Sequence, residues 1–331
     1  LIAAAEETAE EKLAHESQNM PPKGRRENKL IKQKGFSMLQ TGHNLLKLEK
    51  HEKISILSYC ARTAVGFLSE SDQSFYGSGV LLSLDGTWVI LTAAHVVTAV
   101  ENRIRDCKVV FSNEWIEGKR YPAAVKDYSS IYFRVSNSRR GDVWNPAELD
   151  IGLIIPTPSI FEGLHNLRPI EIPIGAPITS RTTAETAIAF GFPARLQIKP
   201  RNEHVVVSNP VYVSYTQLPS QAREDDFAIN WSSIWQVNID KLEKAPDAGG
   251  MSGGPFFSYI REPIAGAWTP EKQLIFSGIL HYQHEDAEKD EHCLLGHSRQ
   301  VIKDFLYILL NGWGNSDFRA ALDKGYKPLP I

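Results

Sequence analysis

The stretch Asp247-Ala248-Gly249-Gly250-Met251-Ser252-Gly253-Gly254-Pro255 constrains the fold of this chain more than any other. Its glycines tolerate the backbone angles of a tight turn that other residues avoid. They describe a tight turn that presents a serine. Two backbone amides can be aimed into one small space only where no side chain intervenes, and that is the arrangement that stabilises an oxyanion in acyl transfer. Gly250 and Gly253 flank Met251-Ser252, so the N–H groups of Gly250 and Ser252 are the expected oxyanion donors. In isolation, a glycine-rich turn in which Ser252 only caps a bend would look the same.

Two upstream segments change the weighing. Leu91-Thr92-Ala93-Ala94-His95-Val96-Val97 ends an apolar strand on a histidine, and Glu148-Leu149-Asp150-Ile151-Gly152-Leu153-Ile154 starts an apolar strand on an aspartate. A carboxylate entering a core needs a partner, and His95 is the natural one. Together they form a nucleophilic set in which Ser252 attacks a carbonyl carbon, His95 takes its proton and Asp150 fixes the imidazole tautomer. Asp142, in a less apolar context, is the fallback acid. Gly250-Met251-Ser252-Gly253-Gly254 also matches G-x-S-x-G, the nucleophile elbow of α/β-hydrolases. That fold orders its triad serine, acid, histidine, whereas here the histidine and aspartate both precede the serine.

The Thr92-Ala93-Ala94-His95, Asp150-Ile151-Gly152-Leu153 and Gly250-Met251-Ser252-Gly253-Gly254-Pro255 blocks resemble the chymotrypsin/trypsin-like serine peptidases, in particular the disulfide-free bacterial type. Gly77-Ser78-Gly79-Val80-Leu81 resembles the family's glycine-marked strand before the histidine. The resemblance spans roughly residues 55 to 312. It implies an all-β fold of two antiparallel six-stranded β-barrels with the site in the cleft between them, and a serine endopeptidase acting on protein or peptide substrates without a cofactor. In digestive members an aspartate precedes the serine and pairs with an N-terminus created by zymogen cleavage. Met251 stands there instead, so that activation route is not implied. The trypsin-like specificity position, six before the serine, is Pro246, with Asp247 adjacent, and does not indicate Arg/Lys preference. Gly278-Ile279-Leu280-His281-Tyr282-Gln283 is the expected substrate-binding strand. There His281 is either an S1 residue favouring Glu or Gln or a structural histidine.

The domain reading follows. Residues 1–53 are an N-terminal extension, partly helical, and a candidate docking site for a protein regulator. Residues 54–312 are the peptidase domain, with barrel 1 over 54–158, barrel 2 over 159–298 and a C-terminal helix over 299–311. Residues 313–331 are a tail. Expected strands include Ile54 to Leu68, Gly79 to Leu84, Trp88 to Thr92, Ile131 to Val135, Ile151 to Ile155, Ala187 to Phe192, His204 to Val207 and Leu274 to Tyr282. Leu84-Asp85-Gly86-Thr87 reads as a hairpin turn. Val301 to Leu310 reads as the one strong helix, with Val301, Phe305, Ile308 and Leu309 on one face.

A net charge of −3 points to neither nucleic acid nor a membrane surface, and no apolar run approaches the ~20 residues of a membrane span. Cys60, Cys107 and Cys293 are too few and too scattered for a disulfide framework. With Glu6, Glu7, Glu10 and Glu11 following the short apolar start, no signal peptide is read, and a cytoplasmic location is expected, with a periplasmic or secreted one as the alternative for a processed N-terminus. Met20 is an alternative start. His281, His284, His292, Cys293 and His297 cluster in sequence, but their spacing fits no zinc pattern, so no metal is expected. Two rival readings keep the same fold: a catalytically silent binding module, and a protease of a multi-protein system controlled through residues 1–53.

Overall fold

The computed structural model describes residues 50–71, 74–111, 115–116, 119–120, 124–128, 131–136, 149–164, 166–172, 186–192, 209–213, 215–216, 226–230, 235–237, 242–244, 249–259, 269–286, 291–311 and 315–328. Residues 1–49, Asp142, His204 to Val207, Pro246 and Asp247 lie outside them.

The described chain begins with helix α1 (Lys50–Thr63) and strand β1 (Ala64–Ser69) where a single strand from Ile54 was expected. The reason is visible in burial. Ile56, Leu57, Cys60 and Ala61 are all fully buried, at a spacing that repeats every turn of a helix rather than every second residue. The helix crosses residue 53, so it runs across the expected boundary between extension and body.

Strands β2 (Phe75–Leu84) and β3 (Thr87–Thr92) form the expected hairpin. Its turn places Asp85 and Gly86 at φ 49° and 82°, the left-handed pair of a two-residue hairpin loop. Helix α2 (Ala94–Asn102) follows, then β4 (Cys107–Phe111), the small separate hairpin β5 (Trp115–Ile116) and β6 (Lys119–Arg120), and β7 (Ala124–Asp127), β8 (Ile131–Ser136) and β9 (Gly152–Pro156). A 3-10 turn (Pro158–Phe161) leads to β10 (Ile170–Glu171), which pairs parallel with β2. The remaining ladder runs in the order β7-β4-β1-β2-β3-β9-β8.

The second sheet is built from β11 (Thr186–Gly191), β12 (Asn209–Val213), β13 (Tyr215–Thr216), β14 (Asp226–Asn230), β15 (Trp235–Val237), β16 (Leu242–Lys244), β17 (Pro255–Tyr259), β18 (Leu274–Asp286) and β19 (Glu291–Ser298). The short helix α3 (Pro270–Gln273) precedes β18. The strand order is β13-β14-β19-β18-β17-β11-β12-β15-β16, every pair antiparallel. In each sheet the principal strands are joined by shorter ones: β7 and β10 in the first, and β13, β15 and β16 in the second. Register shifts in β1, β8, β17 and β18 supply the local extra twist that curls such sheets. The architecture is the all-β, chymotrypsin-like one.

Strands β1, β2, β3 and β9 are buried on both faces, which is why they read as nearly unbroken apolar runs. Leu81 of β2, Ile90 of β3 and Ile154 of β9 face one cluster with Phe67, Phe111 and Phe161. Their neighbours Val80, Leu82, Leu91, Leu153 and Ile155 face the other. This second cluster also takes Ile188, Phe190 and Phe257 from the second sheet and therefore joins the two halves.

Two C-terminal helices, α4 (Arg299–Asn311) and α5 (Asn315–Lys324), complete it. The first occupies the expected span, but its buried face is Val301, Ile302, Phe305, Leu306 and Leu310, and Ile308 is exposed. Beyond it, the expected tail is largely helical and packed. Phe318 and Leu322 enter the shared cluster, the Thr87 hydroxyl donates to Leu322 O at 3.1 Å, and Trp88 N–H donates to Tyr326 O at 2.9 Å. Among the described residues no helix is long and apolar enough to cross a membrane.

Truncating Phe318 to Ala should cost about 3–5 kcal/mol in denaturant unfolding, because the ring is 1% exposed and leaves a cavity. Tyr307→Ala on α4, where the side chain is 58% exposed, should stay within about 0.5 kcal/mol of the unaltered protein.

Candidate active site

His95 is delivered by the turn between β3 and α2. Ala94, Val96, Val97 and Val100 turn inward, while His95, second in the helix, keeps 47% of its side chain exposed. Helix α2 lies directly on the start of β9. A Cβ at Gly152 would run into the Val97 side chain, so only glycine permits that approach. Asp150, two residues earlier, reaches His95 twice. The His95 backbone N–H donates to Oδ1 at 2.9 Å, and Nδ1 lies 2.6 Å from Oδ2. A carboxylate only accepts, so Nδ1 carries the proton and Nε2 is left as the accepting nitrogen. Burial pushes the Asp150 carboxyl up, but the bonds from His95 outweigh it and hold the group below its ordinary value.

Ser252 sits in a turn whose glycines Gly250 and Gly253 adopt φ 85° and 84°. A Cβ on Gly253 would overlap Ser78 O and the Thr92 hydroxyl. The turn is therefore pressed against the strand pair that leads to His95. Gly77 marks the same seam, since a Cβ there would strike the Val96 side chain and approach Ser252 O to 3.1 Å. On the other side, Gly253 N–H donates to Leu280 O at 2.6 Å and Leu280 N–H donates to Gly254 O at 3.0 Å. Met251 is buried and packs near Gly191, so an apolar contact occupies the position where an ion pair was ruled out on sequence.

Ser78 was not recognised in the sequence as a site residue. Its backbone N–H donates to Ser252 O at 2.7 Å. Its hydroxyl donates to Gly250 O at 2.6 Å and accepts from Phe192 N–H at 2.9 Å. One fully buried serine thus ties β2 to both ends of the Gly250–Ser252 segment and to the end of β11. The signal was present as a polar residue between two glycines, Gly77-Ser78-Gly79, in an apolar strand.

Residues 77–265 match the family model of the trypsin-like peptidase domain. The chain belongs to this family. None of the curated proteins matches it. The match of the trypsin-like peptidase domain begins within β2 and stops before β18, yet β1, β18 and β19 are integral, pairing with or beside strands inside it.

The remaining expected site residues fall differently. Tyr282 and Gln283 lie in β18, opposite Leu295 and Leu294 of β19. His281, expected to line a specificity pocket if not structural, is buried at 1% exposure and stacks on His297 with ring centroids 3.9 Å apart. Cys60 and Cys107 are free thiols buried in the core. Burial pushes the Cys60 thiol up and that of Cys107 up to about 12, so neither supplies a thiolate nucleophile at neutral pH.

Ser78→Ala leaves the Gly250 carbonyl and the Phe192 N–H without this partner. The expected loss is about 1–3 kcal/mol by denaturant unfolding, accompanied by slower labelling of Ser252 by a fluorophosphonate.

Proposed function

We propose that the protein is a serine endopeptidase that hydrolyses peptide bonds of protein substrates through an acyl-enzyme on Ser252. The observation that carries this reading is the two-point contact of Asp150 with His95, which leaves Nε2 as the accepting nitrogen, while the Ser252 turn is pressed against Ser78, Thr92 and Ala93 of the strand pair and turn that lead to His95. In the proposed reaction His95 Nε2 takes the Ser252 hydroxyl proton as Oγ bonds to the scissile carbonyl carbon. The Gly250 and Ser252 N–H groups receive the developing oxyanion. Collapse breaks the C–N bond, and the proton passes from Nε2 to the departing amine. Water then repeats the sequence on the ester, releasing the acid and returning the proton to Ser252. Asp150 holds the imidazole in the required tautomer and favours the imidazolium as it forms. No cofactor enters this cycle.

The substrate backbone has a candidate dock. Strand β17 pairs with β18 only as far as Pro255 opposite Ile279, whereas β19 follows β18 on to Asp286. Beyond Leu280, the β17-side edge of β18 has no strand partner among the described residues, and an extended peptide can add there by main-chain hydrogen bonds. Tyr282 and Gln283 on this stretch, with Pro246 and Asp247, are the proposed substrate-binding group; His281, buried against His297, is the structural histidine of the two alternatives.

A fluorescent fluorophosphonate should label the protein, and Ser252→Ala and His95→Ala should each abolish labelling. A well-folded chain that resists the probe would overturn the reading. Asp150→Asn should lower peptide turnover by roughly 10,000-fold while leaving the fold intact, because the amide no longer selects the Nδ1–H tautomer. Turnover measured on a peptide library checks this.

A further inference from the structure

Several buried groups that the proposed cycle does not use meet at one place behind Asp150. Asp226 in β14, His281 in β18 and His297 in β19 bring ligand-type atoms within 4.8 Å of one another, and all three side chains have no exposed surface. The sheet puts them there. β19 runs between β14 and β18, with Asp226 directly opposite His297 and His281 at the bulge two residues past His297's other partner, Ile279.

His297 uses its two nitrogens in different ways. Nε2 accepts the backbone N–H of Asp150 at 3.0 Å. An accepting nitrogen carries no proton, so in the neutral ring the proton is on Nδ1, which donates to Asp226 Oδ1 at 2.8 Å. Asp226 therefore selects the tautomer that can hold Asp150, as Asp150 does for His95. His281 lies over His297 with only 6° between the ring planes, and its Nε2 is 3.7 Å from Asp226 Oδ2. Burial, with His297 close by, drives His281 down to about 4 against the pull of Asp226, so it packs as a neutral ring. Burial raises the Asp226 carboxyl, but the two histidines outweigh it and hold the group below its ordinary value. Both nitrogens of His297 are engaged, Nε2 by the Asp150 N–H and Nδ1 by Asp226, so in this arrangement the ring offers no free lone pair to an ion.

We propose that Asp226 and His297 are positioning residues for Asp150: a second Asp–His pair, supplied by the second sheet, that fixes the main chain of the orienting acid so that both of its carboxylate oxygens meet His95. The proposal rests on the reading of His95, Asp150 and Ser252 as the reacting set. It differs from a packing role because it depends on an acceptor at one atom position and on one tautomer.

The test compares the full chain with His297→Ala, His297→Gln and Asp226→Ala. Three quantities are measured: the rate of fluorophosphonate labelling, the low-field proton resonance of the His95–Asp150 bond (assigned by its loss in His95→Ala), and the denaturation midpoint. Loss of the contact should slow labelling by roughly 10- to 100-fold and shift or broaden the low-field resonance in His297→Ala, as expected for a small misplacement of a reacting group. His297→Gln, whose side-chain oxygen can accept the Asp150 N–H, should recover most of both. Asp226→Ala, which lets His297 move its proton to Nε2, should behave as His297→Ala does.

Labelling within about two-fold of the unaltered chain in His297→Ala would overturn the proposal. So would Gln and Ala variants that lose rate equally and in step with their midpoints. Should His297→Ala fail to fold, the contrast between His297→Gln and Asp226→Ala decides in the same sense. If the unaltered chain takes no label, the acyl-transfer reading falls, and the His95 resonance still decides the positioning role because it needs no turnover.

Discussion

An ionised carboxylate with 8% of its side chain exposed is costly to keep unless its oxygens are met by hydrogen bonds. The Asp150 charge is met by the His95 backbone N–H on one oxygen and the His95 ring on the other. Its own N–H is taken by His297 of the second sheet. The acid thus sits at the joint of the two halves, and the surrounding structure follows from that placement. β9 must start where α2 begins, Gly152 must lack a side chain, and β19 must approach from the other half to close the arrangement.

The same joint is held by polar and apolar means at once. Ser78 ties β2 to Gly250, Ser252 and Phe192 through its hydroxyl and backbone, while Val80, Leu82 and Leu91 share one apolar cluster with Ile188, Phe190 and Phe257. A buried polar link of this kind is stabilising only when every member is satisfied, and here the hydroxyl both donates and accepts. The consequence is preorganisation. The proposed nucleophile turn is pinned to both sheets before any ligand arrives, so its dipoles need little rearrangement during a reaction.

Parts of this were legible from local chemistry. The hairpin at Asp85-Gly86 is demanded by residues that tolerate left-handed angles, and His95 and Asp150 stood out because each ends or starts an apolar strand. Other parts were not. Helix α1 was read as strand because an apolar run of that length satisfies either period until burial distinguishes them. Ile308 was placed inside because its spacing from Val301 and Phe305 is helical, yet which stripe is covered depends on the neighbours of α4, which are β18, β19 and α5, the last a segment read as tail. Asp226 gave no sign of importance, since its role depends on strands 55 and 71 residues away in sequence that bring His281 and His297 beside it.

What the sequence determined by itself is therefore the chemistry that spacing and residue type impose over short range: a glycine-lined serine turn, a strand-ending histidine, a strand-starting aspartate, and short apolar segments that can bury themselves only as sheets. What the tertiary structure alone decided is which groups become neighbours across the two halves. Ser78 meeting the Ser252 turn, and Asp226 reaching Asp150 through His297, are settled by strand register and by close approach at glycines. Those constraints act between residues far apart in the chain, so no local pattern carries them.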